Sequence, residues 1–172
     1  MKTFLSKRKI NRQINKLCKK LNKDYADKDT VFVCVLKGAF PFFAEVFSKF
    51  KHPAEFDFVK ISSYKKNMES GELSYDLDLS LDIENKDVII IEDILDTGKT
   101  LNYFIKHLKT KKPNSIKICA LLNKPSRRVN DIKPDYHCFD IEDYFVVGFG
   151  LDYAEKHREL DYVAILEEGI DY

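Results

Sequence analysis

Apolar positions along this chain recur in two rhythms. From about Lys9 to Ala26, residues Ile10, Ile14, Leu17, Cys18 and Leu21 return every three or four positions with lysines between them, which predicts an amphipathic helix. Val31 to Leu36 and Val88 to Ile91 are instead unbroken apolar runs. Four consecutive β-branched residues without polar alternation suit a strand covered on both faces, as in a parallel sheet. A helix is predicted from Pro41 to Phe47, with proline acceptable in its first turn, and another from Leu101 through Asn102, Tyr103, Phe104 and Ile105. Glu55 to Ser62 alternates like a half-buried strand, and Ser115 to Leu122 reads as a further strand. Shorter strand candidates lie around Tyr136 to Phe139, Phe145 to Phe149 and Tyr162 to Leu166.

Between these elements, Ser63 to about Asp76 is polar, has no clear period and is longer than most connections in compact domains, which predicts a lid. Leu77 to Leu81 then alternates. Strands and helices succeed one another without internal repeats, so the expected class is α/β, a mainly parallel twisted sheet flanked by helices, with extra strands from the C-terminal third.

Composition narrows the function. At 172 residues the chain is expected to be a single domain spanning 1–172, and 44% hydrophobic content allows a real core. A net charge of +1 gives no overall electrostatic reason to expect nucleic acid as a partner, so any anion site must be local. Cys18, Cys34, Cys119 and Cys138 show no C-x-x-C spacing and are expected to be reduced core residues. The opening Met1 to Arg8 lacks the apolar region of a secretory signal, and no stretch approaches a membrane span; a cytoplasmic enzyme without membrane partners is the expectation.

The chemistry concentrates where the run Val88 to Ile91 reaches Glu92-Asp93 and then Asp96-Thr97-Gly98-Lys99-Thr100. In open α/β sheets ligands collect beyond the carboxyl ends of the strands. Carboxylates there suit a metal. Hydroxyls, a permissive glycine and backbone N–H groups at a helix start suit a phosphate. The alternative for two carboxylates at a strand end is a solvated or salt-bridged surface, but the loop that follows favours the phosphate reading. Three further strand ends carry polar groups: Lys37-Gly38, Lys124, and Asp152 after Phe145-Val146-Val147-Gly148-Phe149-Gly150-Leu151. Taken singly, Lys37 and Arg158 read as surface charges, Asp96 as a loop cap, Phe145 as core and Lys124 as exposed.

In order, Leu36-Lys37-Gly38-Ala39, Ser62-Ser63-Tyr64, Glu92 to Thr100, Leu121-Leu122-Asn123-Lys124 and Phe145 to Tyr153 resemble the hypoxanthine-guanine phosphoribosyltransferases, the 6-oxopurine branch of the type I phosphoribosyltransferases. The resemblance covers nearly the whole chain. It implies the type I fold with a small hood formed by terminal segments, a flexible active-site loop at about 63–76, and a homodimer or homotetramer. It also implies transfer of a 5-phosphoribosyl group from phosphoribosyl diphosphate to hypoxanthine or guanine, giving IMP or GMP and pyrophosphate, with Mg²⁺.

Residue by residue, the resemblance assigns phosphoribosyl diphosphate to Lys37, Gly38, Ser63, Tyr64, Glu92, Asp93, Asp96, Thr97, Gly98, Lys99, Thr100 and Arg158. It assigns metal to Glu92, Asp93 and Asp152, and the purine to Lys124, Phe145, Val146 and Asp152. Asp96 is the implied proton carrier at purine N7. The 36–37 peptide is often cis in such proteins. Two departures are visible: Glu142 stands where many relatives have proline, and His157 where an aromatic is common. The rival readings are a phosphoribosyltransferase preferring xanthine and a phosphoribosyltransferase-fold regulator that binds RNA or DNA.

Overall fold

In chain order the elements are β1 (Lys2–Leu5), α1 (Lys7–Asp24), β2 (Thr30–Val35), α2 (Phe40–Phe47), β3 (Ala54–Ser63), β4 (Leu73–Leu77), β5 (Asp87–Leu95), α3 (Lys99–Thr110), β6 (Ser115–Asn123), β7 (Tyr136–Asp140), β8 (Val146–Val147) and β9 (Val163–Ile165). They are taken from a computed structural model that describes residues 1–63 and 73–166. Six strands form the main sheet in the order β4-β3-β2-β5-β6-β7, parallel throughout except for β4, which pairs antiparallel with β3 at the edge.

The two unbroken apolar runs are neighbours at the centre, where both faces need cover. Successive side chains on a strand point to opposite faces. Phe32, Cys34, Ile89 and Ile91 accordingly join the core built with Ile10, Ile14, Leu17 and Leu21 of α1 and Phe42, Phe43 and Val46 of α2. Val31, Val33, Val35, Val88 and Ile90 join the opposite core with Leu101, Phe104 and Leu108 of α3. Each such side chain stabilises the fold by about 1.5–3 kcal/mol relative to exposure. The Ser6 hydroxyl accepts from the Lys9 amide and caps α1 at its N-terminus.

The terminal segments form a separate three-stranded sheet, β1-β9-β8, as the resemblance implied. β1 had no readable signal, because four residues are too few to display a period. Three other expectations are corrected. The stretch 63–76 is not all loop: Ser63 closes β3, and Leu73 to Asp76 lie in β4, which pairs antiparallel with β3, while residues 64–72 of the expected lid lie outside the described residues. Of the alternating segment Leu77 to Leu81, only Leu77 is in a strand. The candidate strand Phe145 to Phe149 shrinks to Val146–Val147, because Gly148, Phe149 and Gly150 all take positive φ and turn the chain.

All four cysteines carry free thiols. Burial pushes Cys18 up to about 11 and Cys34 and Cys138 up to about 12, so these are inert thiols.

The segment entering β5 is pinned by Asp57. Its carboxylate accepts from the Phe58 amide at 2.8 Å, the Ser80 amide at 2.7 Å, the Ser80 hydroxyl at 3.0 Å and the Leu81 amide at 3.0 Å. Burial opposes its ionisation, but these hydrogen bonds outweigh burial and hold its pKa below the ordinary carboxylate value. The associated stability is therefore present above about pH 4 and lost as pH falls through the lower folded-state value. Asp57→Ala is expected to destabilise by about 1–2 kcal/mol in chemical denaturation at pH 7. An unchanged midpoint would show that the anchor is dispensable.

Candidate active site

The order in which successive strands are laid down reverses between the parallel neighbours β2 and β5: β3 lies on one side of this pair, β6 and β7 on the other. Loops leaving the two strands diverge there and open a crevice. The loop after β2 carries Lys37 and Gly38, with a cis peptide between Leu36 and Lys37. A Cβ on Gly38 would fall 1.7 Å from the Asp93 Oδ2 atom. A Cβ on Gly150 would fall 1.9 Å from the Gly38 carbonyl oxygen. The loops bearing Lys37 and Asp152 and the end of β5 bearing Asp93 thus meet at two glycines whose missing side chains permit the contact.

Glu92 and Asp93 occupy the end of β5 and are partly buried. Burial raises the pKa of both, and the Asp93 charge lifts Glu92 further, well above its ordinary value. Two adjacent carboxylates whose ionisation is resisted by their surroundings are relieved by a cation. Hard oxygen donors suit a divalent ion such as Mg²⁺. Among the described residues no group of three or more His, Cys, Asp or Glu side chains is placed to hold one. The expected set Glu92, Asp93 and Asp152 therefore does not converge as one three-carboxylate group.

The loop after β5 is braced from behind. Gly98, in the left-handed region at φ 78°, caps α3, and a Cβ there would lie 2.7 Å from the Asn130 Oδ1. The Lys99 amide donates to the Thr97 hydroxyl at 3.4 Å, while Lys99 and Thr100 are exposed in the first turn of α3. Arg128 donates from Nε to the Asp96 carbonyl at 2.8 Å and from Nη2 to the Leu95 carbonyl at 3.0 Å and the Asn123 Oδ1 at 2.7 Å. The Asp96 carboxylate itself faces Arg127 Nε at 3.3 Å.

Lys124 leaves β6 with only 7% of its surface exposed, and its ammonium lies 3.5 Å from the Asp143 Oδ1. Asp143 also faces Arg127 Nη1 at 3.3 Å, so Asp96, Arg127, Asp143 and Lys124 form a chain of alternating charge. Phe145 is 55% exposed, its ring edge-on to Tyr153 at 5.9 Å between centroids. Val146 is buried in β8, paired with Ile165. The bland readings of Lys124 as exposed and Phe145 as core are both reversed: the lysine is sequestered and the apolar ring is out.

Asp152 does not end a strand of the main sheet. It follows the tight turn after β8 in the terminal sheet, and the Gly150 to Gly38 contact brings it in. Its carboxylate accepts from Arg158 Nη2 at 2.8 Å and from the Glu155 amide at 2.9 Å. Arg158 also donates from Nη1 to the Gly150 carbonyl at 2.8 Å and from Nη2 to Glu155 at 3.0 Å, and its positive charge lies close enough to Asp93 to favour that carboxylate. The buried Arg158 Nε has no hydrogen-bond partner among the described residues. Glu155 in turn faces Lys37 Nζ at 2.6 Å. Ser63 is the last residue of β3; Tyr64 lies outside the described residues.

The crevice therefore draws together Lys37, Gly38, Glu92, Asp93, Asp152 and Arg158, with the Asp96 to Thr100 loop and the Lys124 and Asp143 pair joined to it through β5 and Arg127. Arg127, Arg128, Asp143 and Glu155 were missed from sequence. Each acts through partners 3 to 118 positions away, and no local spacing announces such pairs.

The phosphoribosyl transferase domain model matches residues 1–154. A hypoxanthine-guanine phosphoribosyltransferase of Streptococcus thermophilus is 46% identical over 98% of this chain and 94% of its own length. The crystal structure of a hypoxanthine phosphoribosyltransferase from Staphylococcus aureus superposes with a TM-score of 0.92 at 42% identity, covering 97% of this chain and 91% of that one. A hypoxanthine-guanine phosphoribosyltransferase from Bacillus anthracis, with a HEPES molecule in its active site, gives 0.92 at 35% identity over 97% and 99%. With the loops of β2, β5 and β6 and the terminal sheet closing on one crevice, and with these likenesses spanning almost the whole chain, the protein belongs to the phosphoribosyltransferase family.

Proposed function

We propose that this chain is a hypoxanthine-guanine phosphoribosyltransferase of purine salvage, acting in the cytoplasm as one domain and as a homodimer or homotetramer. It moves the 5-phosphoribosyl group of phosphoribosyl diphosphate onto a ring nitrogen of hypoxanthine or guanine. The bond from the sugar C1 to the diphosphate oxygen breaks, a C1–N bond forms, and IMP or GMP leaves with pyrophosphate. The single observation that carries this reading is the pairing of a sequestered Lys124 at the end of β6 with a Phe145 ring left exposed before β8, two side chains whose burial is the reverse of the ordinary. A sequestered cation can donate to a carbonyl and an uncovered aromatic face can stack on a flat ring, which suits a heterocycle with a carbonyl at its edge.

In this reading the Asp96 to Thr100 loop receives the 5-phosphate through its amides and hydroxyls at the start of α3. Lys37, the Gly38 amide and Arg158 hold the diphosphate, with Ser63 and Tyr64 as further phosphoribosyl diphosphate ligands. Glu92 and Asp93 would hold Mg²⁺ and the ribose hydroxyls, and Asp152 would serve a second ion. A bound Mg²⁺ supplies charge neutralisation for the departing diphosphate. Asp96 exchanges the proton at purine N7, Lys124 donates to O6, and Phe145 and the Val146 backbone hold the base. No helix among the described residues is long and apolar enough to cross a membrane, in keeping with this setting.

The deciding experiment incubates the protein with phosphoribosyl diphosphate, Mg²⁺ and, separately, hypoxanthine, guanine, xanthine and adenine, and measures nucleotide and pyrophosphate. Turnover of the first two with poor use of adenine is expected, since adenine turns a 6-amino donor, not an acceptor, toward the Lys124 ammonium. No product from any base would overturn the proposal. Lys124→Ala is expected to lower kcat/KM for hypoxanthine by about 10- to 100-fold, the loss of one charge-assisted hydrogen bond. Unchanged hypoxanthine kinetics would remove Lys124 from base recognition.

A further inference from the structure

Glu155 stands where a long side chain does not belong by ordinary turn chemistry. Tyr153 and Lys156 exchange backbone hydrogen bonds at 3.1 and 3.0 Å, which makes Ala154 and Glu155 the two central residues of a tight hairpin turn. Both take positive φ, 49° and 65°. Such turns favour asparagine, aspartate or glycine, because a longer side chain there crowds its own backbone. Strained backbone of this kind persists where the surroundings fix it, and it clusters at functional sites. Here the fixing groups are the turn bonds and the Asp152 carboxylate, which accepts from the Glu155 amide at 2.9 Å.

This backbone aims the Glu155 carboxylate between two cations from opposite sides of the crevice. One oxygen lies 2.6 Å from Lys37 Nζ, on the loop after β2. The other lies 3.0 Å from Arg158 Nη2. These are the two side chains that the proposed function assigns to the diphosphate, and on that reading the following inference rests. A carboxylate bridging both cations takes the place of an oxyanion. Glu155 and Lys37 are 63% and 56% exposed, so the ion pair is weak and exchangeable. Beside them the buried Arg158 Nε keeps an unused donor, one that Glu155 does not reach.

We propose that Glu155 is an internal counter-ion of the pyrophosphate subsite: it neutralises Lys37 and Arg158 in the free enzyme and is displaced when the diphosphate arrives. It thereby keeps two like charges apart from the solvent's adventitious anions and weakens the hold on departing pyrophosphate. The sign of the effect separates this role from a supporting one. A residue that merely organised the cations would weaken binding on removal; a counter-ion strengthens it.

The test is calorimetric titration of pyrophosphate, with Mg²⁺, into the intact wild-type protein and into Glu155→Gln, Lys37→Ala, Arg158→Ala and the Glu155→Gln/Arg158→Ala double variant, with Tm followed for each. Glu155→Gln is expected to bind pyrophosphate about three- to tenfold more tightly, the range for releasing one or two exposed ion pairs. The gain should shrink in the double variant, because the two residues share one interaction. Glu155→Gly, which removes the carboxylate and suits the left-handed turn, should bind more tightly without loss of Tm. Equal or weaker binding by both Glu155 variants would overturn the counter-ion role while leaving the subsite intact. If Lys37→Ala and Arg158→Ala do not weaken pyrophosphate, the subsite assignment itself fails and the inference goes with it.

Discussion

Asp96→Asn is expected to lower kcat by about 10²- to 10⁴-fold, the usual worth of a positioned general acid or base. The substitution preserves shape, and the amide oxygen can still accept from Arg127 Nε, which lies 3.3 Å from Asp96 Oδ1 in the wild type. The brace from the Arg128 side chain reaches only the backbone carbonyl of residue 96 and survives. Binding of phosphoribosyl diphosphate and base should therefore change little, so kcat and kcat/KM fall together. Single-turnover kinetics are the appropriate measurement, because slow product release can hide a chemical defect. Near-normal single-turnover rates would remove Asp96 from proton exchange and return it to loop structure.

Gly38→Ala is expected to lower kcat/KM by about 10²-fold or more while leaving Tm within a few degrees of wild type. The new methyl carbon would coincide with Asp93 Oδ2, at 1.7 Å, and would approach Asp93 Cγ to 2.7 Å. Fold and site respond differently to this collision. A single carboxylate can swing away at small cost to the core, but doing so strips the Ile94 amide of its 2.7 Å bond to Asp93 Oδ1 and breaks up the carboxylate pair. Displacing a substrate-positioning group by about 1 Å costs on the order of 10² in rate. Retained kcat/KM would mean that the close approach of these loops does not matter for catalysis. Collapse of Tm would mean that it serves the fold.

Both predictions depend on contacts between segments distant in the chain, and this is where the sequence stops being readable. The 88–100 run could be read because its signals are local: apolar periodicity, a carboxylate pair at the run's end, a glycine and hydroxyls before a helix. Lys124 and Phe145 could be named only through family likeness, since a lysine after a strand is ordinarily exposed and a phenylalanine in a strand ordinarily buried. Burial is a property of what surrounds a residue. Asp143, Arg127 and Glu155 had no signal at all, because a charged side chain in a polar stretch looks the same whether it faces solvent or another charge.

The amino-acid sequence by itself determined the α/β class, the central strands and the helices that cover them, for hydrophobic period is set by backbone geometry residue by residue. It also placed a carboxylate pair and a small-residue loop at the end of β5. The tertiary structure alone decided that the last part of the polar stretch pairs as β4, that four residues at the start join the terminal sheet, and that Asp152 enters the crevice from that sheet rather than from a main-sheet strand end. It also decided that Glu155 spans Lys37 and Arg158. Strand pairing and ion pairing are satisfied between residues far apart in sequence, and their energy depends on distance in space, which no local pattern encodes.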